Sequence, residues 1–250
     1  MILLIDIGNT RIKWAMHDAA GLTPQQAATY AGWTMEQFTE TVLTPLPRPE
    51  RVLIGNVGGL AAGDIVRDAI ERRWGMTAEF IVSTAAACGV RNAYPVPANL
   101  GVDRWLGVIA AHAIAPRVSC VVSVGTAMTI DAVDASGQHL GGVIVPGPAL
   151  MVGSLLRNTS DIAQRAQHGI ATDALFADNT LGAIHQGSAH ALAALVERAV
   201  ETVRQRANVE PMVLLTGGAA SVVERGLHIE YQVVADLVLQ GLAQYADERS

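Results

Sequence analysis

The chain opens with Ile2-Leu3-Leu4-Ile5-Asp6-Ile7-Gly8-Asn9-Thr10, a short apolar run that ends in a carboxylate and a glycine turn. The apolar run predicts a buried strand. The next six residues alternate between polar or small and apolar side chains, which is the period of two of a half-buried strand: Arg11, Ile12, Lys13, Trp14, Ala15 and Met16. The stretch therefore predicts a strand, a glycine turn and a second strand.

The turn between these two strands carries the polar groups. A carboxylate at the end of a buried strand costs desolvation energy unless a cation or hydrogen-bond donors lie beside it, and Asp6 is followed by several such groups. Gly8 lets a polyphosphate approach the backbone, and four residues supply donors: Asn9, Thr10, Arg11 and Lys13. Taken alone, the stretch fits both a phosphate loop and an ordinary hairpin turn.

The same pattern returns in the second half of the chain. Val122-Ser123-Val124-Gly125-Thr126 again places a polar residue two positions before a glycine, and it too runs into an alternating strand. A repeat at this separation indicates a duplicated domain rather than a solenoid, whose repeats are much shorter. We expect two phosphate loops that face each other across a nucleotide-binding cleft.

Composition and charge narrow the class of protein. The chain has 250 residues, half of them apolar, so it can bury one large core or two smaller ones. The net charge is -6 and the basic residues are scattered, which disfavours a nucleic-acid partner. The first apolar run is too short for a signal peptide or a membrane span, so we expect a cytoplasmic protein without a membrane partner. Cys88 and Cys120 form no C-x-x-C pair, which argues against a disulfide framework or a zinc site.

The remaining pattern predicts an α/β chain of two domains. Pro116 marks the expected boundary, which gives an N-terminal domain over 1-116 and a C-terminal domain over 117-250. The polar and irregular stretch from Arg157 to Thr180 is a candidate for a mobile loop over substrate or partner, and equally for a plain solvated loop. A long helix is predicted from Gly182 to about Ala207, and a further helix ends the chain.

A segment rich in turn-forming residues leads into a helix that begins near Asp103 and Arg104. Asp103 can simply complement the positive end of that helix. It can also be a general base that accepts the hydroxyl proton of a phosphoryl acceptor, with Arg104 binding an anionic part of the substrate. Tyr94 would then add an aromatic wall with a hydroxyl. The residues alone leave both interpretations open.

A glycine pair, Gly217-Gly218, follows the predicted strand from Met212 to Leu215. It would let the backbone lie against a flat ring such as adenine. A plain turn from strand to helix would have the same sequence, so this assignment also stays open.

Five motifs occur in order along essentially the whole chain: Asp6-x-Gly8-Asn9-Thr10-Arg11, Tyr94 followed by Gly101-Val102-Asp103-Arg104, Gly125-Thr126-Ala127-Met128-Thr129-Ile130-Asp131, Gly141-Gly142 with Pro146-Gly147, and Thr216-Gly217-Gly218-Ala219. In this combination the chain resembles the type III pantothenate kinases, members of the actin, sugar kinase and heat-shock chaperone superfamily. The resemblance implies duplicated ribonuclease-H-like (actin-like ATPase) domains with a nucleotide cleft between them. It also implies ATP-dependent phosphorylation of pantothenate to 4'-phosphopantothenate, the first step of coenzyme A biosynthesis.

The resemblance further implies residue roles. Asp6 would organise Mg²⁺, directly or through water, and Asp103 would take the proton from the primary hydroxyl of pantothenate. A homodimer and a monovalent cation, K⁺ or NH₄⁺, are also implied. The residues implied to bind ATP are Asp6, Gly8, Asn9, Thr10, Arg11, Lys13, Gly125, Thr126, Gly217 and Gly218. Those implied to bind pantothenate are Tyr94, Gly101, Val102, Asp103, Arg104 and, from the neighbouring subunit, Thr180.

The chain departs from the family pattern at Ser123. The family commonly carries an aspartate two residues before the second-loop glycine, and that aspartate is associated with the monovalent cation. A neutral hydroxyl there removes a negative charge near the phosphates. The departure fits either weakened cation dependence and activity, or a cation held by backbone carbonyls instead.

Two other functions fit the same loops. One is a nucleotide-binding accessory or regulatory protein of the same fold, and the other is a small sugar or polyol kinase. The chain has no G-x-x-x-x-G-K-[ST] motif and no protein-kinase signature, which argues against the mechanisms of P-loop enzymes and of protein kinases. The arrangement of Tyr94 with Asp103 and Arg104 favours pantothenate as the acceptor.

Overall fold

A computed structural model describes residues 1–167 and 174–248. The strands in chain order are β1 Ile2–Ile7, β2 Arg11–Asp18, β3 Gly21–Leu22, β4 Gln26–Thr29, β5 Arg51–Asn56, β6 Glu79–Phe80, β7 Ala86–Ala87, β8 Val90–Arg91, β9 Ser119–Val124, β10 Ala127–Val133, β11 His139–Pro146, β12 Met212–Thr216 and β13 Gln232–Val233. The α-helices are α1 Met35–Phe38, α2 Leu60–Trp74, α3 Val102–Ile114, α4 Pro148–Asn158, α5 Ser160–Ala166, α6 Thr180–Ala207, α7 Ala220–Glu224 and α8 Leu237–Glu248.

The chain divides into two compact units. The first contains Met1–Pro116, Ser136–His139 and the segment from Asp236 onward, and the second contains Arg117–Ala135 and Leu140–Ala235. The predicted boundary at Pro116 is therefore where the first segment ends. The prediction that 117-250 forms one continuous domain is wrong, because α8 returns to pack against α3 and β1 of the first unit.

The first unit is built on a mixed sheet in the order β3-β2-β1-β5-β6, with β4 also paired to β2. Strand β1 lies antiparallel to β2 and parallel to β5. One face of the sheet packs on α2, whose apolar positions Val66, Ile70 and Trp74 are one helical turn apart and buried. The helix ends at Gly75, which adopts the left-handed conformation that glycine tolerates best. This confirms the predicted strand, glycine turn and second strand, and a strand–helix–strand unit of β5, α2 and β6 follows them.

The second unit repeats this arrangement. Its sheet has the order β11-β10-β9-β12-β13, and β9 lies antiparallel to β10 and parallel to β12. The long helix α6 buries Leu192, Val196, Val200 and Val203 against one face of that sheet. In each unit, then, the first strand ends in a glycine turn, pairs with the strand that follows and takes a later parallel strand on its other side. The α/β fold with an internal duplication is confirmed.

The stretch from Arg157 to Thr180 differs from its prediction. It was expected to be irregular, but α4 runs to Asn158 and α5 covers Ser160–Ala166. An ion pair one helical turn apart, Asp161 with Arg165 at 3.1 Å, supports α5 from its exposed face. Residues 168–173 of the predicted loop lie outside the described residues. Within residues 1–167 and 174–248, no helix is long and apolar enough to cross a membrane.

Candidate functional site

Asp6 lies near the end of β1, where it is 6 % exposed. Its partner across the strand pair is Lys13, whose Nζ lies 4.0 Å from Asp6 Oδ2. Burial raises the pKa of Asp6 from the ordinary value of 3.8 to about 7; Lys13 lowers this pKa and the charge of Asp103 raises it. Asp6 is thus a carboxyl group that one lysine only partly compensates, and an additional cation would stabilise its charged form.

The turn from Gly8 to Arg11 follows Asp6 directly. The first N–H group of the turn is hydrogen-bonded within the turn, since Gly8 N–H donates to the Arg11 carbonyl at 3.0 Å. The Ile7 carbonyl accepts two hydrogen bonds from the turn after β5, from Val57 N–H at 2.9 Å and Gly58 N–H at 3.1 Å. The predicted donor residues Asn9, Thr10 and Arg11 are exposed in this turn and are therefore accessible to a ligand. The backbone of Ile7 and Gly8, which precedes them, is hydrogen-bonded within its own unit.

A tyrosine that sequence reasoning missed also holds this turn. The Tyr30 hydroxyl donates to the Gly8 carbonyl at 2.6 Å. Partial burial and then the charge of Asp6 raise the pKa of Tyr30, so the hydroxyl keeps its proton and donates. Tyr30 follows β4, which pairs with β2, and this pairing brings it to the turn. No local motif marks such a residue, because its position depends on the register between two strands.

Asp103 occupies the first turn of α3, after Gly101 at the helix N-cap. Its Oδ1 accepts a hydrogen bond from the Arg104 backbone N–H at 2.8 Å, as expected of an acidic residue at a helix start. A Cβ atom at Gly101 would lie 2.7 Å from that same oxygen, so a larger residue there would displace the Asp103 carboxylate. Asp103 remains partly exposed and is close enough to raise the pKa of Asp6. The two carboxylates therefore belong to one electrostatic site in the first unit.

Tyr94 and Arg104 lie together beside this helix. Arg104 is 7 % exposed, donates from Nη1 to the Tyr94 hydroxyl at 3.0 Å, and places its Cζ 5.7 Å from the centre of the Tyr94 ring. The Tyr94 backbone N–H donates to the Asn92 side chain at 3.0 Å. A buried guanidinium held by a tyrosine in this way suits recognition of an anionic group. Val102, also predicted for the substrate site, is buried at the start of α3.

His139 is a second residue that the sequence analysis missed. Its ring is 1 % exposed and stacks on Tyr94, with ring centres 6.2 Å apart and planes 13° apart. Its Nδ1 accepts a hydrogen bond from the Ala93 backbone N–H at 3.5 Å. His139 precedes the predicted strand from Leu140, and nothing in its local pattern indicates a contact with a residue so far back in the chain.

The second loop, Gly125-Thr126, is closed in the same way as the first. Gly125 N–H donates to the Ala127 carbonyl at 2.9 Å, and the Thr126 carbonyl accepts from Gly147 N–H at 2.8 Å. A side chain at Gly147 would overlap the Gly125 carbonyl oxygen, so the turn before α4 must be glycine. Both Gly125 and Thr126 are exposed.

The glycine pair after β12 lies against the second loop. Gly217 has a φ of 99° and leaves no room for a Cβ atom next to the backbone of Val124. Ala219 N–H donates to the Val124 carbonyl at 3.0 Å, while Gly218 is exposed. The structure thus brings Gly125, Thr126 and Gly217 together within the second unit.

Ser123 is the middle residue of a row of hydroxyl groups. Its paired residues are Thr129 on β10 and Thr216 on β12. Thr216 is 3 % exposed, and its Oγ1 has no hydrogen-bond partner among the described residues. The row is neutral and presents oxygen atoms. Within the described residues, no group of three or more His, Cys, Asp and Glu side chains is arranged to hold a metal ion.

Thr180 begins α6 in the second unit. Asn179 caps the helix by accepting from Gly182 N–H at 2.9 Å, and Thr180 is half-buried in the first turn. The other predicted substrate residues, Tyr94 and residues 101–104, belong to the first unit.

Comparison with known proteins gives the family of the chain. Residues 2–202 match the family "Type III pantothenate kinase". A protein of that name from Nitrosococcus oceani is 33% identical over 255 residues, covering 100% of this chain and 95% of that protein. Another from Herminiimonas arsenicoxydans is 39% identical over 248 residues, covering 97% and 96%.

Solved structures share the fold at lower identity. A Campylobacter jejuni protein described as a Baf family transcriptional activator has a TM-score of 0.60 at 20% identity, with 99% of this chain and 98% of that chain covered. Component A of (R)-2-hydroxyglutaryl-CoA dehydratase from Acidaminococcus fermentans has a TM-score of 0.58 at 15% identity, with 100% and 99% covered. These likenesses extend to the fold, which is the duplicated actin-like ATPase fold. The family match and the full-length relatives together establish that the chain belongs to the type III pantothenate kinases.

Proposed function

We propose that the chain transfers the γ-phosphoryl group of ATP to the primary hydroxyl of pantothenate, which gives 4'-phosphopantothenate and ADP as the first step of coenzyme A biosynthesis. The observation that carries the proposal is the placement of Asp103, partly exposed at the start of α3 and electrostatically coupled to Asp6 beside the first phosphate loop. We place the reaction in the cytoplasm, where ATP is supplied.

The first loop and Asp6 are assigned to the phosphates of ATP. The exposed residues Asn9, Thr10 and Arg11 supply donors, and Lys13 supplies a positive charge behind them. Asp6 fits a magnesium ion, because a buried carboxyl with a pKa near 7 gains from a second cation. When bound, Mg²⁺ neutralises phosphate charge and orients the transferred group. Mg²⁺ in nucleotide sites is commonly held by one or two carboxylates with substrate phosphates and water, so Asp6 would hold the ion in company with phosphate oxygens and water.

The adenosine part and the remaining phosphate contacts are assigned to the second unit. Gly125 and Thr126 present an exposed loop whose backbone is held from behind, and Gly217 with Gly218 supplies a flat stretch without side chains. These features suit a nucleotide that lies along the loop and against the glycine pair.

Asp103 is assigned the role of general base. The pantothenate hydroxyl proton passes to its carboxylate as the hydroxyl oxygen forms a bond to the γ-phosphorus, and the bond from that phosphorus to the β-γ bridging oxygen breaks to release ADP. Arg104 fits the carboxylate of pantothenate, since its buried guanidinium offers directional donors and is oriented by Tyr94. Gly101 and Val102 form the approach to the helix start where these groups meet.

A monovalent cation is proposed for the row of hydroxyl groups formed by Thr129, Ser123 and Thr216. Hydroxyl oxygens are acceptable ligands for K⁺ or NH₄⁺, and the Thr216 oxygen is buried without a partner among the described residues. The row lacks the formal charge of an aspartate at Ser123, so we expect weak cation binding and a shallow dependence of rate on K⁺.

A homodimer is proposed with Thr180 contributing to the neighbouring subunit's pantothenate site. The second unit exposes large apolar side chains on the edge strand β11 and on α4: Val143, Ile144, Leu150 and Leu155. Apolar side chains grouped on consecutive elements, with Ile144 59 % exposed, are typical of an interface. A second copy of the chain would cover them, and light scattering in solution should then give twice the mass of one chain.

The reaction is tested with purified protein, MgATP and pantothenate, with and without K⁺ or NH₄⁺, and with phosphopantothenate detected by mass spectrometry. The variant Asp103→Asn should keep its pantothenate KM and lose turnover by roughly 10² to 10⁴, as is typical of a missing general base. A sugar and polyol panel in the same assay tests the other acceptor class. Near-normal turnover in Asp103→Asn would reject the assigned role, and ATP binding without any product would reject the proposed reaction.

A further inference from the structure

We propose that Tyr30 is a positioning residue for the nucleotide phosphates: its hydroxyl fixes the Gly8 carbonyl so that the next amide, Asn9 N–H, is presented to bound ATP. The inference rests on the proposed function only in taking ATP as the ligand of the first loop. It adds a residue that lies outside every motif of the family resemblance.

The peptide between Gly8 and Asn9 is held at its carbonyl oxygen. A trans peptide is planar, and its C=O and N–H point in opposite directions; no cis peptide occurs in the described chain. The Gly8 carbonyl points at Tyr30, 2.6 Å from the hydroxyl oxygen. The Asn9 N–H must therefore point away from Tyr30, and Asn9 is an exposed residue.

The preceding peptide is fixed as well. In the peptide between Ile7 and Gly8, the Ile7 carbonyl accepts from Val57 and Gly58 N–H. The Gly8 N–H of the same peptide donates to the Arg11 carbonyl. The carbonyl oxygens of Ile7 and Gly8, which would repel a phosphate, are thus both held by donors of the same unit. Because Tyr30 holds the Gly8 carbonyl, the first N–H group of the loop that can face an anion is that of Asn9.

Gly58 shows how closely Tyr30 is fitted. A Cβ atom at Gly58 would overlap the Tyr30 hydroxyl, and it would lie 2.7 Å from the Gly8 carbonyl oxygen and 3.0 Å from the Ile7 side chain. Three segments that are distant in sequence therefore meet at this carbonyl. The contact leaves room for glycine and no larger residue.

The hydroxyl is suited to act as a donor here. Burial and the neighbouring Asp6 charge both raise its pKa, so it stays protonated where the enzyme works. In the second loop, the carbonyl one residue after the loop glycine, that of Thr126, accepts from a backbone group, Gly147 N–H. The first loop depends on a side chain, and one substitution can therefore remove the support.

The test variant is Tyr30→Phe, which deletes one oxygen atom. A lost hydrogen bond of about 0.5–1.5 kcal/mol corresponds to a roughly 2- to 12-fold weaker affinity for the magnesium complex of AMP-PNP, measured by calorimetry. We expect the KM for ATP to rise by a similar factor while the KM for pantothenate stays unchanged. Tyr231→Phe, a partly buried tyrosine of the second unit, is the matched control and should leave both constants unchanged.

A second variant acts on the same carbonyl from the other side. Gly58→Ala keeps the hydroxyl but forces the Gly8 carbonyl or Tyr30 to move, so it should also weaken AMP-PNP binding. Unchanged AMP-PNP affinity in Tyr30→Phe, even with a lowered Tm, would overturn the inference, as would equal losses for ATP and pantothenate. Wild-type protein that binds AMP-PNP but leaves pantothenate unphosphorylated would overturn the proposed acceptor alone, because the calorimetric comparison does not need turnover.

Discussion

Replacing Asp6 with asparagine should stabilise the nucleotide-free protein at alkaline pH. Asp6 is 6 % exposed, and its pKa is raised from 3.8 to about 7 because burial outweighs the opposing effect of Lys13. Between pH 3.8 and about pH 7, Asp6 holds a proton in the folded chain that it has lost in the unfolded chain. The free energy of unfolding therefore falls as pH rises toward 7, and it becomes insensitive to this group above 7.

The size of the effect follows from the same two pKa values. Each pH unit between them costs about 1.4 kcal/mol, so the full loss is on the order of 4 kcal/mol and the part between pH 5.5 and 7 is about 2 kcal/mol. Asp6→Asn has no such dependence. For a chain of this length, about 2 kcal/mol corresponds to a shift of roughly 4–8 °C in Tm. Part of the gain at pH 8.5 is offset, because Lys13 loses its partner.

The assay is thermal unfolding without nucleotide or Mg²⁺ at pH 5.5 and pH 8.5. The difference in Tm between Asp6→Asn and wild type should grow in favour of the variant by about 4–8 °C from the lower to the higher pH. Asp68→Asn, at an exposed position of α2 in the same unit, should show a difference that does not change with pH. If the Asp6→Asn difference is also constant, Asp6 is ionised at both pH values and the argument from its burial fails.

Two further substitutions test the rest of the site. Gly147→Ala forces a Cβ atom against the Gly125 and Thr126 carbonyls and should weaken AMP-PNP binding by roughly tenfold or more. The control Gly187→Ala in α6, with open space around it, should bind AMP-PNP normally. Wild-type affinity in Gly147→Ala would contradict the tight fit. His139→Leu removes the ring stacked on Tyr94 and should raise the pantothenate KM roughly 2- to 10-fold with the KM for ATP unchanged, and His139→Phe should restore it. Identical constants for the leucine and phenylalanine variants would show that stacking does not position Tyr94.

The fold was largely predictable because its signals are local. The apolar run before Asp6 and the alternation after Arg11 specify two strands and a turn, and the same pattern at Ser123 to Thr126 specifies the duplication. The return of α8 to the first unit was not predictable in this way. Its apolar residues indicate that one face is buried but do not name the element that covers it.

The partner of α8 is fixed by a contact that only the structure reveals. Gly241 lies against the backbone of Leu106 so closely that a Cβ atom would be 2.7 Å from the Leu106 carbonyl carbon. The two helices can approach this far only where one has no side chain. A lone glycine in a helical sequence does not indicate which other helix it packs against. The sequence near Gly241 therefore could not show that α8 belongs to the first unit.

The groups proposed to carry the chemistry could be found from the sequence, and the groups that hold them could not. Asp6 and Asp103 stand in short motifs with a recognisable order. Tyr30 and His139 act across long sequence separations, the first on Gly8 and the second on Tyr94. Their positions are set by strand register and packing, for which a single sequence gives no pattern.

The two units also differ in charge at equivalent positions. Asp6 and Ser123 each stand two residues before the loop glycine, but Asp6 pairs across its sheet with Lys13, whereas Ser123 lies between Thr129 and Thr216. A carboxylate at Ser123 would have no lysine in register and would need a bound cation to offset its desolvation. A hydroxyl makes no such demand. Duplication has therefore produced one loop with its own compensating charge and one that is neutral, which is why we expect the reaction to depend strongly on Asp6 and only weakly on a monovalent cation.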